Sequence, residues 1–225
     1  MRFADISYKL VTTLDGSHTL YHNNIDEHFH SIHGAIQESM HVFIKNAFQA
    51  SGKNPVSILE VGFGTGLNAF LTLKEAINIQ RKVIFHSIES YPLEPIIFNS
   101  LNHIQLIDPS LINMFSKIYQ SEWNKKVDIC EYFTLKKIHD DLLIYNFDNA
   151  YDVVYFDAFS PQKQSEMWSN AVFRKIFNSM NHNGVLTTYS AKGSVKRTLQ
   201  ETGFRVEMLP GSPGKREMIR AWKIN

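Results

Sequence analysis

The chain has 225 residues, 44% of them hydrophobic and 20% charged, with a formal net charge of +1. That length suits one domain, or one domain with an elaboration, and the composition is that of a soluble globular protein able to bury a sizeable core. There is no apolar run of about 18 residues to span a membrane, the N-terminus MRFADISYKL lacks the zones of a signal peptide, and the single cysteine, Cys130, excludes an internal disulfide. A cytoplasmic protein is expected, with Cys130 a plain buried thiol in an alternating stretch.

Residues 1–50 show no regular alternation and are expected to form an appendage or lid packed on a domain covering 51–225. From there, strands and helices take turns. VSILEVG (56–62) is β-branched and apolar, and TGLNAFLTLKEAINIQ reads as a helix. KVIFHSIE (82–89) is the next strand, PLEPIIFNSLNHI the next helix, and DPSLINMFSKIYQSEW a further helix opened by an Asp-Pro-Ser cap signal. VDICEYF, DVVYFDAF and GVLTTYS follow as strands, separated by KIHDDLLIYN and SEMWSNAVFRKIFNSM as helices. GSVKRTLQETG closes as a helix with Gly203 after its end, and FRVEMLP and EMIRAWKI flank GSPGKR as an antiparallel hairpin. The alternation predicts an α/β, doubly wound, Rossmann-like fold with a mostly parallel seven-stranded sheet and a C-terminal antiparallel hairpin.

Ligands of such sheets bind outside the carboxyl ends of the strands, where the strand order reverses. The first of these strands ends in 58-ILEVGFGTGLN-68, where Gly62, Gly64 and Gly66 let the backbone turn tightly and approach a ligand. A dinucleotide site prefers G-x-G-x-x-G, whereas here the third glycine comes one residue early and Glu60 stands two before the first. An anion there repels a pyrophosphate and suits a ligand with a cationic amino-acid end. Glu89 ends the second strand, 23 residues after Gly66, placed to accept hydrogen bonds from ribose hydroxyls. Together these features favour S-adenosylmethionine. A plain surface acid remains the alternative for Glu89.

Another carboxylate closes a strand in 152-DVVYFDAFSPQKQSEMW-168, where an apolar run delivers Asp157 and a Phe-Ser-Pro turn follows at once. This stretch, ILEVGFGTGLN, SIESYPL and TYSAKGSVKRTLQETGFRVEMLPGSPGKREMIRA resemble the methyltransferase part of the tRNA 5-methylaminomethyl-2-thiouridine synthesis enzymes. The earlier 28-HFHSIHGAIQESMHVFI-44 is similar too, with Gly34 and Glu38 at the family's recurrent Gly and Glu. The resemblance implies methylation of the exocyclic amine of 5-aminomethyl-2-thiouridine at the tRNA wobble position. It implies S-adenosylmethionine as donor, bound by Glu60, Gly62, Gly64, Gly66, Asn68 and Glu89, and the tRNA anticodon stem-loop as partner. Asp157 is then the catalytic residue, orienting the amine for in-line attack and accepting or relaying its proton; a strand-end cap is its bland alternative. Phe159 suits stacking on the base, or plain packing, and Pro161 stiffens the turn.

Charge adds to this reading. From Val185 to Asn225 the chain carries a net +5, against −4 for the rest, as a phosphate-rich partner favours. Lys192, Lys196, Arg197, Lys215 and Arg216 are the candidate phosphate contacts; a solvated surface is the alternative. His28, His30 and His33 lack a cysteine pair or an H-E-x-x-H helix, so no metal is expected. The stretch 129-ICEYFTLKK-137 lacks the Gly-Asp that often meets adenine, and no adenine contact is assigned. The resemblance also implies that a chain ending at Asn225, without the family's flavin oxidoreductase domain, carries no flavin and takes its aminomethyl substrate from a separate enzyme. Two other readings stand beside it. An aminopropyltransferase of spermidine-synthase type requires a second acidic cluster, where Ser-Pro-Gln-Lys stands after Asp157. A noncatalytic RNA-binding module would have no use for Glu60, Glu89 and Asp157.

Overall fold

The structure, a computed structural model, describes residues 8–148 and 150–224. The first seven residues of the expected appendage lie outside the described residues. Strands β1 (Tyr8–Thr12), β2 (His18–His22) and β3 (Glu27–His28) form a small antiparallel sheet in that order. Helix α1 (Ala35–Ser39) comes next and runs on with wider, π-helical pitch over Met40–Phe48. Val42, Phe43, Ile44, Ala47 and Phe48 are buried there, in one core cluster with Ile58, Val153 and Val185 of the main sheet. The boundary drawn at residue 50 therefore falls just after a helix that shares the core of the main domain.

Among the described residues the main sheet has eight strands, in the order β10 (Arg205–Pro210), β11 (Glu217–Trp222), β9 (Met180–Thr188), β8 (Tyr151–Phe156), β4 (Val56–Val61), β5 (Val83–Glu89), β7 (Phe133–His139) and β6 (Lys126–Cys130). Its centre is β4 (Val56–Val61) flanked in parallel by β5 (Val83–Glu89) and β8 (Tyr151–Phe156). All six residues of β8 are buried, and so are five of the six in β4. Such near-continuous apolar runs are what a strand covered on both faces needs. Helices α2 (Leu67–Asn78), α6 (Asn170–Asn178) and α7 (Gly193–Thr202) follow β4, β8 and β9 (Met180–Thr188) respectively. Gly203, at φ +115°, ends α7 as expected. Strands β10 (Arg205–Pro210) and β11 (Glu217–Trp222) form the terminal hairpin, and β11 pairs antiparallel with β9.

The sheet has one more strand than expected. VDICEYF is not one strand but the turn of a hairpin, with β6 (Lys126–Cys130) antiparallel to β7 (Phe133–His139). The anticipated helix at KIHDDLLIYN starts inside β7, because Leu135 and Ile138 are buried and the strand pairs in parallel with β5 over its full length. Cys130 is half-buried at the bulge in β6. The expected PLEPIIFNSLNHI helix is broken into α3 (Pro95–Phe98) and α4 (His103–Ile107), and DPSLINMFSKIYQSEW supplies a short 3-10 turn and α5 (Ile112–Gln120). The Asp108 cap is present, its carboxylate accepting the Ser110 N–H.

Candidate active site

From β4 the chain moves outward to β5 and β7, then returns to the other side of β4 as β8. This reversal opens a crevice at the carboxyl ends of β4, β5 and β8, and the small N-terminal sheet closes over it. A cavity of about 360 Å³ results, lined by Gly62, Gly64, Asn68, Glu89, Asp157 and Phe159 from the main domain and by Glu27, Phe29 and Glu38 from the N-terminal segment.

Asp157 stands one residue beyond β8 and lines this cavity, with its Oδ2 accepting a hydrogen bond from Asn68 Nδ2 at 2.8 Å. Burial and the nearby Glu38 carboxylate raise its pKa to about 7; the Asn68 hydrogen bond and Lys215 oppose the rise. Asp157 is thus half ionised near neutrality, which an exposed aspartate never is. The turn beyond it is pinned at three successive residues. Tyr189 Oη donates to the Ala158 carbonyl at 2.9 Å, and Trp168 Nε1 donates to the Phe159 carbonyl at 2.8 Å. The Ser160 N–H and Oγ donate to Glu27 Oε2 at 3.0 and 2.9 Å. Phe159 presents its ring to the cavity, edge-on to Phe29 at 5.1 Å and to His22 at 6.0 Å. Pro161 does not line the cavity; it lies in the turn closed by the Lys163 N–H to Ser160 carbonyl hydrogen bond.

The glycine loop crosses directly in front of Asp157. Gly62, at φ +89°, passes so close that a Cβ would lie 2.9 Å from the Asp157 carbonyl oxygen, so the loop's first glycine serves the chain crossing itself. Gly66 is not a cavity residue either: it starts α2 in a left-handed conformation, φ +70°. Glu89 accepts the Gly64 N–H at 3.1 Å and the Tyr91 N–H at 2.9 Å, one on each oxygen, while burial holds its pKa above the usual carboxylate range. Each oxygen keeps acceptor capacity for a ribose hydroxyl. An acceptor fixed beside a glycine loop, in a cavity that continues to Asp157, fits S-adenosylmethionine.

Glu60 differs from expectation. Its neighbours across the sheet are Ser87 and Tyr155, and it is fully buried and not among the residues lining the cavity. Strand alternation directs it into the packing between the sheet and α2, where Ser87 Oγ donates to Oε2 at 2.5 Å. Burial raises its pKa well above the ordinary value.

Lys215 also differs. Read as a phosphate contact, it turns inward and lines the cavity, with Nζ 2.5 Å from Glu38 Oε1 and 4.1 Å from the centre of the Tyr189 ring. The hairpin turn accounts for this. Gly214, at φ +81°, packs on the His33 ring so closely that a Cβ would overlap it, and the Lys215 N–H closes the turn on the Ser212 carbonyl. Glu38 is buried and also accepts the Ser31 N–H at 2.8 Å. Glu38 carries no assigned role in the sequence, and Glu27, Phe29 and Tyr189 are cavity residues that no local motif marks. Lys192, Lys196 and Arg197, at the start of α7, and exposed Arg216 stay outside the cavity. The three histidines diverge: His30 is buried and near Thr19 Oγ1 at 3.3 Å, His28 packs on the Tyr21 ring, and His33 on Gly214.

A glycine loop, an acid closing β5 and a cavity carboxylate on this sheet fit a methyltransferase. Residues 110–224 match the family described as S-adenosyl-L-methionine-dependent methyltransferase, and the chain belongs to it. Among curated relatives, the tRNA 5-methylaminomethyl-2-thiouridine biosynthesis bifunctional protein MnmC of Leptospira borgpetersenii serovar Hardjo-bovis is 28% identical over 214 residues, 88% of this chain and 32% of that protein. The chain thus spans about a third of the length of such relatives. The crystal structure of MNMC2 from Aquifex aeolicus superposes with a TM-score of 0.75 at 28% identity, covering 95% of this chain and 70% of that one. Spermidine synthase from Thermotoga maritima shares the fold, with a TM-score of 0.60 at 12% identity over 98% of this chain and 70% of that one.

Proposed function

We propose that the protein methylates the exocyclic amine of 5-aminomethyl-2-thiouridine at a tRNA wobble position. The observation that carries this reading is the placing of Asp157, held by Asn68 inside a cavity that also contains the glycine loop, Glu89 and the Phe29–Phe159 aromatic wall, where burial raises its pKa. When bound, S-adenosylmethionine supplies an electrophilic methyl group. Glu89 would accept hydrogen bonds from its ribose hydroxyls, and the glycine loop at Gly64 would line its place. Asp157 accepts a hydrogen bond from the substrate amine and aims the lone pair along the line of displacement. Proton removal is the harder task, since an alkylammonium resembles lysine, at about 10.4, and an ordinary aspartate sits near 3.9. That gap makes the transfer uphill by ~9 kcal/mol; with Asp157 at about 7 it falls to ~5 kcal/mol.

Phe159 and Phe29 suit an unpaired base, which an anticodon loop presents without much flipping energy. Exposed Arg197 and Arg216, with half-buried Lys192 and Lys196, provide positive charge for its phosphates. Among the described residues no helix is long and apolar enough to cross a membrane, and a cytoplasmic tRNA is the partner this reading requires. The reaction also needs a preceding step that leaves a free aminomethyl group on the uridine. The aminopropyltransferase alternative calls for carboxylates free to hold a polyamine. Glu38 and Glu27 do reach the cavity, yet Glu38 is paired with Lys215 and Glu27 is occupied by Ser160. The test is tRNA carrying 5-aminomethyl-2-thiouridine, labelled S-adenosylmethionine, and wild type beside Asp157→Ala. Label in the methylaminomethyl nucleoside, with the variant at least about a hundredfold slower, supports the reading; donor binding without label transfers the proposal to another substrate.

A further inference from the structure

Glu60 occupies the position where an acid is expected to meet the cationic end of the methyl donor, but its surroundings are wrong for an anion. It is fully buried and, among the described residues, forms no salt bridge; the charged or titratable groups that act on it are Glu89 on β5 and Asp157 and Tyr155 at β8, all acids. One donor serves it, Ser87 Oγ at 2.5 Å, and the Asn68 side chain, whose amide donates to Asp157, lies close enough to act on its pKa. Two buried oxygens in this cluster have no partner, Glu60 Oε1 and Asn68 Oδ1. A hydrogen on Glu60 turns Oε1 from an unmet acceptor into a donor, and the unmet acceptor Oδ1 belongs to the side chain with which Glu60 already interacts. A buried anion with no counter-charge is far more costly than a buried neutral acid.

We propose that Glu60 is a neutral positioning acid that keeps its hydrogen, holds the Asn68 amide against Asp157, and forms no ion pair with the methyl donor. The inference rests on the methyl-transfer reading only for the use of Asp157. Glu60 acts through Asn68: a fixed amide keeps one hydrogen bond on the Asp157 carboxylate and so keeps that group ionisable near neutrality.

Three measurements on the intact chain test it. Infrared difference spectra of wild type, Glu60→Gln and Asp157→Asn at about pH 8 are expected to show a protonated-carboxyl band that persists in Asp157→Asn and vanishes in Glu60→Gln. Calorimetry with S-adenosylmethionine is expected to give Glu60→Gln a Kd within about threefold of wild type, since an amide reproduces a neutral acid. Glu60→Leu, which cannot tether Asn68, is expected to move the acidic limb of the kcat/KM profile upward, with glutamine restoring it. A missing carboxyl band, or a loss of donor affinity of about tenfold or more in Glu60→Gln, overturns the proposal in favour of an anion that binds the donor. If wild type transfers no methyl to the tRNA, the substrate reading fails, while the band and the donor affinity still decide the state of Glu60.

Discussion

Asp157→Asn keeps the shape of a side chain while removing the charge that the cavity disfavours. The folded pKa of Asp157 is about 7, against about 3.9 for an aspartate in an unfolded chain. Because the folded value is the higher one, the unfolded chain releases this proton first. Native stability therefore falls as the pH climbs from about 4 to about 7, and levels off above. At ~1.36 kcal/mol per pKa unit the full loss is ~4 kcal/mol, of which ~2 kcal/mol has already gone by about pH 5.5. Asparagine carries no such penalty, so its stability advantage over wild type should be ~2 kcal/mol larger at about pH 8.5 than at about pH 5.5. Urea unfolding of both proteins at both pH values, without methyl donor, measures it through the midpoints and slopes. The same variant should lose at least about a hundredfold in methyl transfer, so the site is stabilised by losing its chemistry. An advantage equal at the two pH values would refute the raised pKa of Asp157, whatever the activity does.

The neighbours of Asp157 predict shifts of opposite sign. Glu38 raises its pKa and Lys215 lowers it, so the acidic limb of the kcat/KM profile should move down in Glu38→Gln and up in Lys215→Met. Glu89→Gln places an amide NH2 where a backbone N–H now donates, and calorimetry should show S-adenosylmethionine bound about tenfold or more weakly. Phe159→Ala removes a stacking face worth about 1–3 kcal/mol; KM for tRNA should rise by roughly five- to a hundredfold while donor affinity holds. Charge reversal at Lys192 and Arg197 should weaken tRNA binding and flatten its salt dependence, with no change in donor affinity.

What the sequence made legible was what local pattern encodes. The apolar runs of β4 and β8, the glycine loop, the acids closing β5 and β8, and the hairpin around GSPGKR each carry their signal within about ten residues. The β6–β7 hairpin was hidden because Glu131 and Tyr132 interrupt an alternation without glycine or proline, so two strands read as one. Lys215 was misread because a charge count has no direction: the Gly214 contact with His33 turns it inward. Glu27, Glu38 and Tyr189 reach the site only through contacts such as Glu27 with Ser160, 133 residues apart, and no local period reports a pairing of that range. Glu60 shows the reverse case, a residue whose motif position was plain while its sheet partners, Ser87 and Tyr155, decided where it points.

The Glu38–Lys215 pair has a consequence for how the protein is made. Its two ends are 177 residues apart in the chain, so at about 5–20 residues per second a ribosome releases the carboxylate roughly 9–35 s before its counter-ion. During that interval, burying Glu38 would strand a charge at a cost of about 3–5 kcal/mol. Docking the helix that carries Glu38 before the last hairpin arrives therefore costs either that stranded charge or the uptake of a proton. Either cost weakens the early packing of Val42, Phe43 and Phe48, and this is the window in which a chaperone has most to hold.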